Sequence, residues 1–295
     1  MKFVTFLDDG QARVGVLSSG RVSPLDRLLG TPVDSMLDLI DRFQPQCLAA
    51  INQRLIAGNS PSYELRDIKL LAPIPYPRRN VFCLGKNYAE HAQEIKISQI
   101  TDTTIPTHPI YFTKVASPAI GHGDMIRVSK RITAEVDYEV ELAVVIGKEG
   151  VDIPAEEAEK YIFGYTIGND ISARNLQAER KQWFKGKSLD SFCPLGPLLL
   201  HKSALPLPAE LSIQCRVNGE LRQDSNTRNL IFDIPSIISD LSQGMTLKPG
   251  DIILTGTPSG VGMGYDPPRY LKDGDKVECY IENIGVLSNR IKIIP

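Results

Sequence analysis

Three acidic side chains in this sequence have the types and spacing to hold a cation. In Asp137-Tyr138-Glu139-Val140-Glu141-Leu142-Ala143-Val144-Val145-Ile146 the acids alternate with other residues and then enter an apolar run. Alternate side chains of a strand share a face, which sets Glu139 and Glu141 roughly 7 Å apart at the backbone. Carboxylates at that spacing repel unless water or a cation lies between them, and oxygen-only ligands suit Mg²⁺ or Mn²⁺. The competing reading is a solvated strand face. Asp170 closes a second strand pattern, Phe163-Gly164-Tyr165-Thr166-Ile167-Gly168-Asn169, with enough intervening chain for the two strands to lie side by side. It is a candidate third ligand, or else an Asn-Asp turn or a cap for a helix over Ser172–Gln177.

A base and a cation are also on offer. After the apolar strand Val81–Leu84 comes Gly85-Lys86-Asn87-Tyr88-Ala89-Glu90-His91-Ala92-Gln93-Glu94. On a helix His91 and Glu94 share a face, and a carboxylate beside an imidazole fixes its tautomer and raises its basicity. An exposed His/Glu pair is the alternative. Lys187, in Trp183-Phe184-Lys185-Gly186-Lys187-Ser188, is either an exposed lysine or a cation for an enolate or a substrate carboxylate. Thr255–Gly262 follows a buried-strand pattern and is either a glycine-rich turn or a nest for a carboxylate.

Other patterns fail on spacing. Gly186-Lys187-Ser188 has Lys181 where a P-loop needs its first glycine, and Gly260-Val261-Gly262-Met263-Gly264 is followed by Pro267-Pro268 rather than by a helix. No two histidines stand at a zinc-binding spacing, and His108, His122 and His201 read as loop or surface residues. The five cysteines are scattered without a C-x-x-C, which suits a reducing cytoplasm. A formal net charge of -2 provides no field for nucleic acid or an anionic membrane. Neither a signal peptide nor a membrane-spanning run is expected.

The elements that must position these residues divide at a proline-rich stretch. Residues 2–7 and 13–17 read as a hairpin around Asp8-Asp9-Gly10, and residues 34–44 as a helix capped by Asp34. A second helix runs to Gly58, and Ala72–Pro77 reads as a stiff linker. This predicts a small N-terminal α+β domain over residues 1–75 and a β-rich domain over 76–295. In the latter, Asn218-Gly219 marks a tight hairpin, Val277–Glu282 alternates as a strand, and Asp233 with Pro235 opens an amphipathic helix. Strands dominate without a βαβ rhythm, so the expected class is α+β.

Together these segments resemble the fumarylacetoacetate hydrolase family. The matching pieces run in order from about residue 79 to 290: Gly85–Tyr88 with His91 and Glu94, Phe112–Lys114, Gly121–Asp124, Asp137–Gly147, Gly164–Gln177, Gly186–Ser188 and Leu254–Gly262. The resemblance implies a mixed β-sandwich roll, a homodimer, and Mg²⁺ or Mn²⁺ held by Glu139, Glu141 and Asp170. It implies a water-activating pair in His91 and Glu94, a catalytic Lys187, and substrate contacts from Lys114, Arg174, Gln177 and Thr257. Asn175 departs from the aspartate that many relatives carry. The implied activity is C–C cleavage of small 2-oxo diacids through an enolate, as in acylpyruvate or fumarylpyruvate hydrolysis or oxaloacetate decarboxylation. The alternatives are a hydroxyheptadienedioate-type isomerase and a metal-binding regulatory protein with little turnover. Ile95–Pro106, directly after the His–Glu pair, is expected to be a lid.

Overall fold

A computed structural model describes residues 1–58, 60–94 and 105–295, so the expected lid lies outside the described residues up to Thr104. The fold is mixed α+β and rich in strands, as expected. Among the described residues eleven strands build the main sheet. Its centre runs Gln11–Ser18, Lys2–Asp8, Leu195–His201, Ile162–Asn169, Val140–Ile146, Ile252–Leu254, Val81–Gly85 and Ile110–Lys114. A second sheet of five strands is ordered Glu220–Asn226, Ser212–Val217, Lys276–Ile281, Gly285–Ile294 and Met125–Ser129.

The Val140–Ile146 strand shows how the sheets stack. All of its residues are buried, the mark of a strand covered on both faces. Val140, Leu142, Val144 and Ile146 enter a core shared with Ile213, Cys215, Val277, Cys279 and Leu287 of the smaller sheet. Ala143 and Val145 point the other way, into a core closed by Met36, Leu39, Ile40 and Ile51 of the N-terminal helices. Period-two alternation therefore puts Glu141, and Glu139 before it, on the face opposite the sandwich core.

Local expectations are met at several points. The opening hairpin joins Lys2–Asp8 to Gln11–Ser18, and Asn218-Gly219 turns between Ser212–Val217 and Glu220–Asn226, both turn residues at positive φ. The Asp233 carboxylate caps the helix Ile234–Ser242 by accepting from Ser236 N–H. The helix Met36–Arg42 is capped by Ser35, not Asp34: the Ser35 hydroxyl accepts from Asp38 N–H. His201 is not a surface residue. It ends a strand and is buried among the rings of Phe3, Phe43 and Phe163. The segments on either side of residue 75 share the main sheet through the pairing of Phe3 with Leu199.

Candidate active site

The acidic row is not one continuous strand. Val136–Asp137 pairs with Ser172–Ala173, the ladder breaks, and Val140–Ile146 then joins the main sheet. The break separates Asp137 from the two glutamates. Its buried carboxylate accepts from Arg174 Nε at 2.9 Å, Gly262 N at 2.7 Å, Met263 N at 2.9 Å and Tyr138 N at 2.9 Å. A Cβ on Gly262 would stand 2.6 Å from the backbone O of Arg269 and 2.7 Å from Asp137 Oδ1, so a larger residue there would force the loop off the carboxylate.

Glu139, Glu141 and Asp170 come together as the spacing suggested. Val140–Ile146 runs antiparallel to Ile162–Asn169, with Val140 opposite Asn169, so Asp170 leaves its strand beside the glutamates. One oxygen of each carboxylate lies within 4.8 Å of the others, and all three residues are buried. Asp170 is not a helix cap, because the helix Arg174–Glu179 has no side-chain cap. Its carboxylate instead accepts from Lys187 Nζ at 2.8 Å and from Lys114 Nζ. Lys187 Nζ also lies 2.8 Å from Glu139 Oε2, and Arg174 Nη1 lies 2.7 Å from Glu139 Oε1. Glu141 accepts from Gly256 N at 2.7 Å.

These surroundings set the charges. Burial alone would raise the Glu139 carboxyl, but Lys187 and Arg174 more than offset it and hold it below the usual carboxylate range. At Glu141 burial, then Asp170 and Glu139, push the carboxyl well above that range. Burial works against the Lys187 ammonium, yet Asp170 and Glu139 outweigh it and raise its pKa. A convergent set of hard oxygen donors, one carboxyl of it raised by burial and then by its acidic neighbours, fits a divalent cation. Nearby Cys193 is no nucleophile: burial pushes its thiol up to about 12.

His91 and Glu94 lie on the helix Ala89–Glu94, with His91 Nδ1 3.3 Å from Glu94 Oε2. Glu94 Oε1 accepts from Gly260 N at 2.9 Å, tying this helix to the glycine-rich loop. His91, Glu139, Glu141, Arg174, Gln177, Lys187 and Thr257 all line one pocket. Lys114 does not; with no exposed surface, it stands behind Asp170 and also donates to Ile171 O. The Thr257 hydroxyl donates to Val140 O and accepts from Gln223 Nε2. Gln177 accepts from Arg174 Nη1. Asn175 accepts from the Thr133 hydroxyl and donates to Ile132 O, away from the pocket.

Sequence reasoning assigned nothing to Asp137's clamp on Arg174, to Gln223, or to the aromatic pair Phe112 and Trp183. The tripeptide Phe112-Thr113-Lys114 and the sole tryptophan were visible signals, but only the fold shows that they meet.

Fold and site together define a strand-rich α+β enzyme with a buried carboxylate triad, a lysine ammonium and a His–Glu pair around one pocket. The fumarylacetoacetate hydrolase C-terminal family model matches residues 80–292, and the chain belongs to that family. It is 52% identical over 229 residues to the oxaloacetate tautomerase YisK of Bacillus subtilis, covering 78% of this chain and 75% of that protein. Its fold matches a fumarylacetoacetate hydrolase of Exiguobacterium antarcticum with a TM-score of 0.85 and 40% identity over all of both chains. A maleylpyruvate hydrolase of Sphingobium sp. SYK-6, solved with manganese(II) and pyruvate, matches with a TM-score of 0.81 and 29% identity over all of both chains. No helix among the described residues is long and apolar enough to cross a membrane.

Proposed function

We propose that this chain is a divalent-metal-dependent enzyme that interconverts the keto and enol forms of a small 2-oxo diacid, with oxaloacetate as the leading substrate. The observation that carries this is the bracketing of one pocket by the Lys187 ammonium and the His91 imidazole. Likeness to an oxaloacetate tautomerase favours proton transfer over bond cleavage as the outcome.

Glu139, Glu141 and Asp170 would hold Mg²⁺ or Mn²⁺, which would supply positive charge against the oxygen of the enolate. With Nδ1–H turned to Glu94, His91 keeps Nε2 bare as a base. It takes a proton from C3; the C–H electron pair becomes the C2–C3 double bond, and a proton returns to the C2 oxygen. No atom is lost, and reversal restores the keto form. Lys187 stabilises the negative charge between the two proton transfers. Arg174 and Gln177 orient the substrate; Arg174 Nη2 is a buried donor without a partner. Lys114 orients Asp170 rather than substrate.

A second reading is hydrolysis of an acylpyruvate, with His91 activating water, favoured by likeness to the maleylpyruvate hydrolase. Proton NMR in D₂O with Mg²⁺ separates the two readings. Tautomerisation accelerates deuterium entry at C3 of oxaloacetate without releasing pyruvate; hydrolysis splits an acylpyruvate. Exchange no faster than with Mg²⁺ alone overturns the tautomerase reading. We further propose a homodimer, checked by light scattering, in a reducing compartment such as the cytoplasm, with which five free cysteines agree.

A further inference from the structure

Four residues before Lys187, the chain's one tryptophan stands at the edge of the pocket. Lys187 N–H donates to Trp183 O at 3.2 Å, so the indole and the ammonium are carried by the same helical turn. Trp183 meets the Phe112 ring edge-on with centroids 5.4 Å apart, and Lys187 Nζ lies 5.2 Å from the Phe112 centroid. The wall is thus one side-chain layer from the carboxylate triad. Gly85 completes it: a Cβ there would stand 2.3 Å from Trp183 Cζ3 and 2.8 Å from Cη2. The indole lies directly on the backbone that ends the Val81–Gly85 strand, and any larger residue at position 85 would displace it.

Core packing does not account for this placement. Trp183 belongs to none of the apolar cores among the described residues, and its neighbour Phe184 is exposed. A half-buried ring is instead held at the edge of the pocket, against the backbone of Gly85.

We propose that Trp183, seated on Gly85 and braced by Phe112, limits substrate length and selects short 2-oxo acids over longer ones. This rests on the reading that 2-oxo acids bind at the triad. A substrate anchored there by its keto and carboxylate groups has its far end to place, and the indole, packed between Gly85 and Phe112, stands in its way. An apolar wall that excludes one methylene discriminates by roughly 10- to 200-fold.

Calorimetry on the Mg²⁺-loaded protein tests this without turnover, using oxalate as a probe too short to press on the wall and 2-oxoglutarate as one longer than oxaloacetate. Trp183→Leu should leave the oxalate Kd within about twofold and tighten 2-oxoglutarate roughly tenfold, with Trp183→Phe in between. In the wild type, 2-oxoglutarate should perturb the emission of Trp183, which needs no assignment because it is the only tryptophan. Unchanged affinities in both variants, or parallel weakening of both ligands, overturns the wall and leaves Trp183 a packing residue. Failure of the wild type to bind oxalate overturns the functional reading itself, and the wall with it.

Discussion

Asp137 offers the sharpest test of how the site is held. Its carboxylate accepts four hydrogen bonds, three from backbone N–H groups and one from Arg174 Nε, and it is fully buried. Asp137→Asn keeps shape and volume, so no cavity enters the comparison. It removes the charge opposite a buried guanidinium and turns an NH₂ group toward donors. Breaking a buried pair from one side costs about 3–5 kcal/mol. Arg174 retains Glu139 at 2.7 Å, which places the expected loss near the lower end, about 3 kcal/mol. At about 2–4 °C per kcal/mol, that is a melting point lowered by roughly 6–12 °C. Urea denaturation should show a lower midpoint with an unchanged slope. In an Arg174→Met background the same substitution should cost far less, because the buried cation has gone. Mg²⁺ affinity should change only a few-fold, since the triad is untouched. A loss under about 1 kcal/mol, or an equal loss in both backgrounds, would refute the clamp.

Three further outcomes follow from the charges. Lys187→Met should abolish C3 exchange while Mg²⁺ binds as tightly as before or tighter, because a cation has left a cluster of carboxylates; calorimetry showing lost metal binding would contradict this. Glu141 has a folded pKa raised above its ordinary 4.5, so its contribution to metal-free stability is present below that value and declines as pH rises through the folded pKa. A cation displaces that proton, so the melting-point increment from Mg²⁺ should grow from pH 5 to pH 8; an increment flat with pH would count against it. Burial, then the N-terminal ammonium and Lys202, lower His201 from 6.5 to about 4. That stability is present above pH 6.5 and lost as pH falls toward 4, about 3 kcal/mol in all, and His201→Phe should flatten the acid limb of a melting-point profile.

What was legible in the sequence was set by the range of the signals. Period-two alternation reveals Glu139 and Glu141, and the distance along the chain allows Asp170 to join them. Spacing cannot show that the ladder breaks after Asp137, because that break depends on pairing with Ser172–Ala173 across the chain. Lys114 illustrates the same limit. Its match to a family motif suggested a substrate contact, whereas the fold buries it behind Asp170. His201 misled because a histidine after an apolar run resembles a strand end in solvent, and only the N-terminal helices bring Phe43 over it. Turn chemistry was the most readable layer, since Asn218-Gly219 and Asp233 act through neighbours in sequence.

Charge pairing within the buried cluster explains how the site can form without a metal. Among the described residues Asp137, Glu139 and Asp170 each pair with a buried cation, from Arg174, Lys187 or Lys114, and Lys86 is a further buried cation lining the pocket. Glu141 differs: its carboxyl is raised by burial and then by Asp170 and Glu139, and it accepts from the backbone N–H of Gly256. A proton on Glu141 spares the fold a bare carboxylate there, while the other three acids are matched by cations. On the proposed function a divalent cation would displace that proton and add positive charge to the cluster, the sign needed to draw in a carboxylate-bearing substrate. Lys187 and Arg174 therefore do two things at once. They neutralise Glu139 for folding, and on the proposed function they stand where an enolate and its carboxylate need opposite charge. Their removal should accordingly separate metal binding, which depends on the acids, from turnover, which depends on the cations.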